Sequence, residues 1–549
     1  MDNNVINNMG NASQQPQNNG VLNPPGAYFV PYTAPLKKEY TPLSKKENSF
    51  IFIVLAGLFL FVDFALFHGF LLGFTISYAV IFAITTAFIY KKEAKNKAFA
   101  IICGAFSLIL SVGNTLYNNA FIKPVSVLIV GFLFAIYCLG ISGGLTKLSG
   151  SYKMLINLFL KTVFVPFEKL NEVFGSIKEG AKNNKKALGA LLGILLSIPV
   201  LLVVIPLLVS GDAAFEGLVE SVIENIGTYV VEIATALVIL PFFYSYLFNR
   251  VRDTESEKIK TQSGKKLPSV ACTSFLSVIS ITYVVYLFSQ LAYFFSAFKG
   301  ILPEGYTHTA SAFARRGFYE MCAICFINIA LISAVSILSE RKNKKLPAII
   351  KVLSLFISLF SVLLVVIAIQ KMRLNIATYG LSVNRILVFA FMLMMLVVIA
   401  FFILHIFAPK VKYMQPIIII CSVIFIALTF SDVDRIAADY NIEAYTTGKL
   451  EKLDVEAISL MSDSAVPYLV ELTESNDEKI AKEAKECVAK KIFYYTDFLV
   501  DDETKPRIIE EEKDFRAYNK ARMNSFKLME KYFNSLPEKE RKHLIEEYF

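Results

Sequence analysis

The stretch 347-PAIIKVLSLFISLFSVLLVVIAIQ-370 carries a single charge, Lys351, and no turn residue after its opening proline. As a helix it has no polar face to offer water. In a bilayer, roughly 17 to 25 mostly apolar helical residues cross the hydrocarbon core with every backbone polar group satisfied inside the segment. The run therefore reads as a membrane span. Ten more of the same kind surround it, at about 50–67, 70–90, 98–114, 124–141, 188–209, 228–248, 270–296, 317–338, 384–407 and 414–430. The expected fold is an all-α polytopic helical membrane protein with about eleven transmembrane helices.

Composition points the same way. A chain of 549 residues with 55% hydrophobic and 18% charged residues, and a mean hydropathy of +0.53, is too apolar for a water-soluble domain of that length. The net charge of +9 invites a nucleic-acid partner, but its distribution argues against one. Residues 431–549 hold 19 Lys+Arg and 27 Asp+Glu, net −8, so the segment before them carries +17. That excess sits in alternate connections: Lys37, Lys38, Lys45 and Lys46 before the first span, then KKEAKNK at 91, the lysine-dotted 142–187, 249–266, ERKNKK at 340 and PKVK at 409. Basic residues stay on the cytoplasmic side of spans, and the intervening connections are short or acidic. The expected topology is a cytoplasmic N-terminus in a cell membrane, eleven spans and an extracytoplasmic C-terminal domain, with no nucleic acid involved.

Three parts follow from this reading. Residues 1–49 form a disordered cytoplasmic leader, because NNVINNMGNASQQPQNNG has too little apolar surface to fold and no signal-peptide core. Residues 50–430 form the transmembrane domain, with an interfacial segment at about 150–180 where lysines interrupt the apolar pattern. Residues 431–549 form a soluble helical domain. Within it, SDSAVPYLVELTESNDEKIAKEAKECVAKKI reads as two helices, the second capped by Asn476 or Asp477, and Ser535 is expected to cap the last helix. Six of the seven cysteines fall in spans and only Cys487 lies beyond them, so a disulfide framework for the exported domain is excluded.

Polar residues that could carry function gather at the expected outer face. ARRGFYE puts Arg315 and Arg316 at the mouth of a span with Glu320 four residues beyond Arg316, a spacing that lets the two pair. The connection QKMRLNIATYGLSVNR adds Arg373, Tyr379 and Arg385, and SDVDRIAADYNIEAY adds Asp432, Asp434, Arg435 and Asn441. These ten residues form a speculative binding cluster for a protein partner or a small ligand such as a headgroup or anion; salt bridges that anchor the exported domain are the competing reading. Deeper polar residues are Asp63, Asn114, Glu232, Gln290 and Asn328, with Asp63 and Glu232 near enough to span ends to be solvated. The four histidines share no metal-ligand spacing, and no catalytic residue, metal or cofactor is expected.

The order of ARRGFYE, VYLFSQLAYFF, YGLSVNR and the exit DVDRIAADYNI…LDVEAISLMSDSAVPYLVEL resembles the bacterial membrane-protein family described as domain of unknown function 4173, from about residue 190 to 475. The resemblance implies a multi-pass bacterial membrane protein and brings no activity with it. The sequence favours a non-enzymatic signalling, envelope-assembly or partner-binding role at the outer face. A transporter or flippase, and a transferase acting on lipid-linked substrates, remain alternatives.

Overall fold

Inside lipid the helix is the form that satisfies its own backbone, and the chain folds accordingly. The structure, a computed structural model, describes residues 45–90, 97–144, 153–168, 213–252, 266–299, 318–340, 346–408, 411–498, 506–508 and 514–548, with isolated positions 170 and 204. The first helices are α1 (Lys45–Phe61), prolonged by a π-helical turn (Val62–Phe67), α2 (Leu72–Ile89), α3 (Lys97–Leu116) and α4 (Ile122–Ile141). Short α5 (Lys153–Phe159) and α6 (Val165–Glu168) precede the long α7 (Ala213–Arg252), α8 (Ser269–Lys299), α9 (Phe318–Leu338), α10 (Ala348–Tyr379), α11 (Val383–Phe407) and α12 (Met414–Phe430). After them come α13 (Val433–Thr446), α14 (Val455–Ser459), α15 (Val466–Leu472), α16 (Glu478–Tyr495), a three-residue antiparallel pair β1 (Thr496–Phe498) and β2 (Pro506–Ile508), α17 (Lys520–Ser535) and α18 (Glu538–Tyr548).

Among the described residues nine helices are long and apolar enough to cross a membrane, at limits close to those read from the sequence. The protein is a multi-pass, all-α membrane protein. The expected run 188–209 lies outside the described residues apart from position 204, as does nearly all of the leader; Lys45 already opens α1. The last expected span, 414–430, differs in kind. It turns by 62° into α13, so the two helices form a bent pair rather than a straight span. Asp432 sits at the break in the left-handed region with φ 47°, and the polar residues after it cannot continue into lipid.

Two groups of spans share the buried apolar side chains. Leu58, Phe74, Leu110, Leu133, Tyr244 and Phe425 represent the first, built from α1–α4, the second half of α7, and α12. The other joins α8, α9, α10 and α11 through Leu276, Met321, Leu364 and Met395. Polar glue crosses the second group: Tyr283 donates to Asn328 Oδ1 at 2.5 Å, and Asn328 Nδ2 donates to Ser361 Oγ at 2.9 Å.

Hydrogen bonds distinguish the two ends of the bundle. At one end Tyr244 donates to the Glu47 carbonyl at 2.7 Å, Ser245 to Pro166 O at 2.7 Å, and Leu267 pairs with Ser339. At the other end the helices after Asp432 pack on the spans. They have a core of their own, with Val466, Leu469, Ile480, Ala484, Val488, Ile492, Phe526 and Phe533 buried together, so the hairpin of α15 and α16 is covered by α17. Asp477 caps α16 as its position suggests, accepting from Lys479 N at 3.0 Å. Ser535 does not cap the last helix: it closes α17, and its hydroxyl turns back to Tyr532 O at 2.6 Å.

Candidate functional site

The polar chemistry of the described residues concentrates where the C-terminal helices meet the spans. Three clamps hold this seam. The first begins at the π-helical turn that ends α1, which carries Asp63 and packs against α2. A tight turn at Phe515–Ala517 lies against it. Asp514 shapes this turn, its Oδ1 accepting from Arg516 N at 2.8 Å and its Oδ2 from Arg516 Nε at 2.8 Å. Arg516 Nη1 then reaches Asp63 Oδ1 at 2.5 Å, an ion pair with side chains only 21% and 10% exposed. The guanidinium holds the Asp514 carboxyl below the usual carboxylate range. The His68 ring donates from Nδ1 to the Asp63 carbonyl oxygen at 2.7 Å, and its Nε2 is 3.6 Å from Asp514 Oδ2. Gly73 makes this approach possible, since a Cβ there would strike the backbones of Phe64 and Arg516.

The second clamp is at the α3–α4 connection. Asn119 Oδ1 caps α4 by accepting from Phe121 N and Ile122 N, both at 2.9 Å, and its Nδ2 donates to Asp434 Oδ2 at 2.6 Å. The other Asp434 oxygen accepts from Ser462 N at 3.1 Å. Beside it Asn519 caps α17 and donates from Nδ2 to Asn114 O at 3.1 Å. A small crevice lined by Asn114, Tyr117, Lys123, Thr429 and Asp432 opens between these contacts. Two of the lining residues carry buried polar atoms without a protein hydrogen-bond partner, the donor Asn114 Nδ2 and the acceptor Asp432 Oδ1.

The third clamp is a two-way amide bond. Leu381 N donates to Asn441 Oδ1 at 2.6 Å, and Asn441 Nδ2 donates to Leu381 O at 2.7 Å. Gly380, at φ 76°, supplies the turn that presents Leu381, and a Cβ there would collide with the Asn441 amide. Arg385 donates back to the Tyr379 carbonyl at 3.1 Å and to the Gly380 carbonyl, fixing the same turn.

Among the residues singled out from the sequence, Asp432 and Asp434 come together at the crevice, while Tyr379, Arg385 and Asn441 come together around Gly380. Arg435 is exposed and bonds Tyr468. Arg373 is exposed and reaches Gln370 Oε1 at 3.4 Å. Arg315 and Arg316 lie outside the described residues; Glu320 is exposed at the start of α9, within electrostatic reach of Lys371 on α10. Sequence reasoning missed Arg516, Asn119 and Asn519. It noticed Asp63 and Glu232 but expected both to be solvated, whereas they are 7% and 1% exposed.

The profile of a domain of unknown function, DUF4153, matches residues 98–472. The motif order resembles domain of unknown function 4173, and the match to DUF4153 corrects that expectation. Comparison with curated proteins and with solved structures returns no match.

Proposed function

Because the chain belongs to the DUF4153 family, a domain family of unknown function, we propose its role from geometry: it is a membrane-anchored binding platform. The bundle holds the helical module of residues 433–548 at the extracytoplasmic face, and the module takes a protein partner there. The observation that carries this reading is the seam. A tethered domain would need only the α12–α13 connection, yet three separate polar clamps bind this module to α1–α4 and to the α10–α11 turn. Such fixing transmits a load or an orientation between module and membrane. Arg373 and Arg435, exposed beside the clamps, are available to the partner.

The extracytoplasmic placement rests on the alternation of basic connections. Cys487 is partly buried against the module core, so an introduced cysteine is the better topology probe. In a cysteine-free background, Leu460→Cys, at a position 82% exposed, should react with a membrane-impermeant maleimide on intact cells. Reaction only after lysis would place the module inside. A photocrosslinking residue at Leu460 or at Tyr494, itself 75% exposed, should trap one discrete adduct in membranes. A smear of adducts, or none at either position, would remove the partner from the reading.

A further inference from the structure

Glu232 lies on α7 in step with Ala236, Leu240, Tyr244 and Leu247, all of them buried, while Val230, Val231, Ile233 and Leu237 on the other faces are exposed. The spacing of four, four, four and three turns its carboxyl toward α1 and α2 rather than toward lipid. The residue is 1% exposed, and its Oε2 has no hydrogen-bond partner. Within electrostatic reach are Asp63 and His68 from the end of α1, and Arg516 from the turn before α17. Asp514 stands behind Arg516, Tyr229 lies on the same helix as Glu232, and the facing α2 contributes no acidic or basic residue.

We propose that Glu232 is a proton-binding site whose occupancy sets the Asp63–Arg516 contact, and with it the docking of the C-terminal module on the bundle. The charges give the reason. Asp63 and Asp514 already share the guanidinium of Arg516, and a protonated Glu232 adds no charge to them. Release of that proton to water leaves a second carboxylate beside Asp63, buried and without a hydrogen-bond donor for Oε2. An unpaired buried carboxylate is too costly to stay as it is. It draws Arg516 toward itself, and Asp63 loses the partner that holds Phe515–Ala517 in place. The inference concerns the seam alone and is independent of the side of the membrane on which the module lies.

The chain contains no tryptophan, so Phe515→Trp is a clean reporter; Phe515 is 58% exposed and packs its ring edge-on 5.6 Å from Phe64. In the full-length protein in lipid nanodiscs, its fluorescence should change in one transition as the pH is raised from the acid to the alkaline range. Adding Glu232→Gln should abolish the transition, and adding His68→Gln should shift its midpoint but keep it. An infrared difference spectrum across the same range should show loss of a protonated carboxyl band that Glu232→Gln lacks. This second measurement reads the group directly if the glutamine variant is poorly folded. The proposal fails if the fluorescence does not titrate, if the transition survives Glu232→Gln or vanishes with His68→Gln, or if the carboxyl band is absent from the unmutated chain.

Discussion

Arg516 is the side chain on which the seam turns, because it is shared between a carboxylate of its own turn and one from the first span. Removing it leaves buried Asp63 with only the His68 ring beside it, whereas removing both leaves an apolar contact beside Phe64 and Phe515. Arg516→Leu should therefore lower the melting temperature in detergent more than the Asp63→Leu/Arg516→Leu double variant, with a coupling of about 0.5 to 3 kcal/mol. Simple additivity would mean that the two residues act apart. Asn441 offers a second test. Asn441→Ala should cost about 1 to 3 kcal/mol through the two lost bonds to Leu381, and Asn441→Asp should cost more, since a carboxylate would then face the Leu381 carbonyl. Equal losses would place the effect elsewhere. Both aspartate and asparagine were visible in the sequence as polar residues near span ends. Their partners were not, because Asp63 and Arg516 are separated by 453 positions and no local pattern links them.

The spans were legible as elements because hydropathy in lipid is a one-dimensional signal: a run such as 348–379 satisfies its backbone wherever its neighbours lie. What hydropathy does not encode is how an element ends. The bend after Phe430 depends on a left-handed Asp432, and α17 ends with Ser535 turning its hydroxyl back to Tyr532 O. α17 shows what its own N-terminal end does. Asn519, fully buried, caps that helix through Oδ1 and reaches Asn114 O through Nδ2, so one side chain serves the element and the seam. Asn519→Ala should destabilise the protein by about 1 to 3 kcal/mol in a thermal melt. Asn519→Asp keeps the cap acceptor and loses the donor, so it should separate the module from α3 while leaving α17 intact. Hydrogen exchange would read this as faster exchange at the seam with unchanged protection inside α17, and fraying of α17 itself would contradict it.

For the molecule as a whole, acidity should undo the seam before it undoes the spans. The Asp514 carboxyl is held below its ordinary range by Arg516, so in the folded state it stays ionised to lower pH than in the unfolded chain. Its contribution is complete above the unfolded value of about 3.9 and is lost as pH falls through the lowered folded value. The span cores hold few charges to protonate, as Leu276, Leu364 and Met395 illustrate. A melt monitored at Phe515→Trp should thus lose its transition below about pH 4 while far-ultraviolet helicity persists. Coincident loss of both signals would show that module and bundle unfold as one unit.

The contact between Asp63 and Arg516 also governs the order in which the chain can be finished. The first span is synthesised and inserted long before residue 516 leaves the ribosome, so through most of translation Asp63 waits in the membrane without its arginine, and the Asn114 carbonyl without Asn519. A nascent chain is therefore visibly incomplete at its beginning until its last helices arrive. A product broken off before residue 514 would leave Asp63 without Arg516 and the Asn114 carbonyl without Asn519, two unmet polar groups at the ends of α1 and α3.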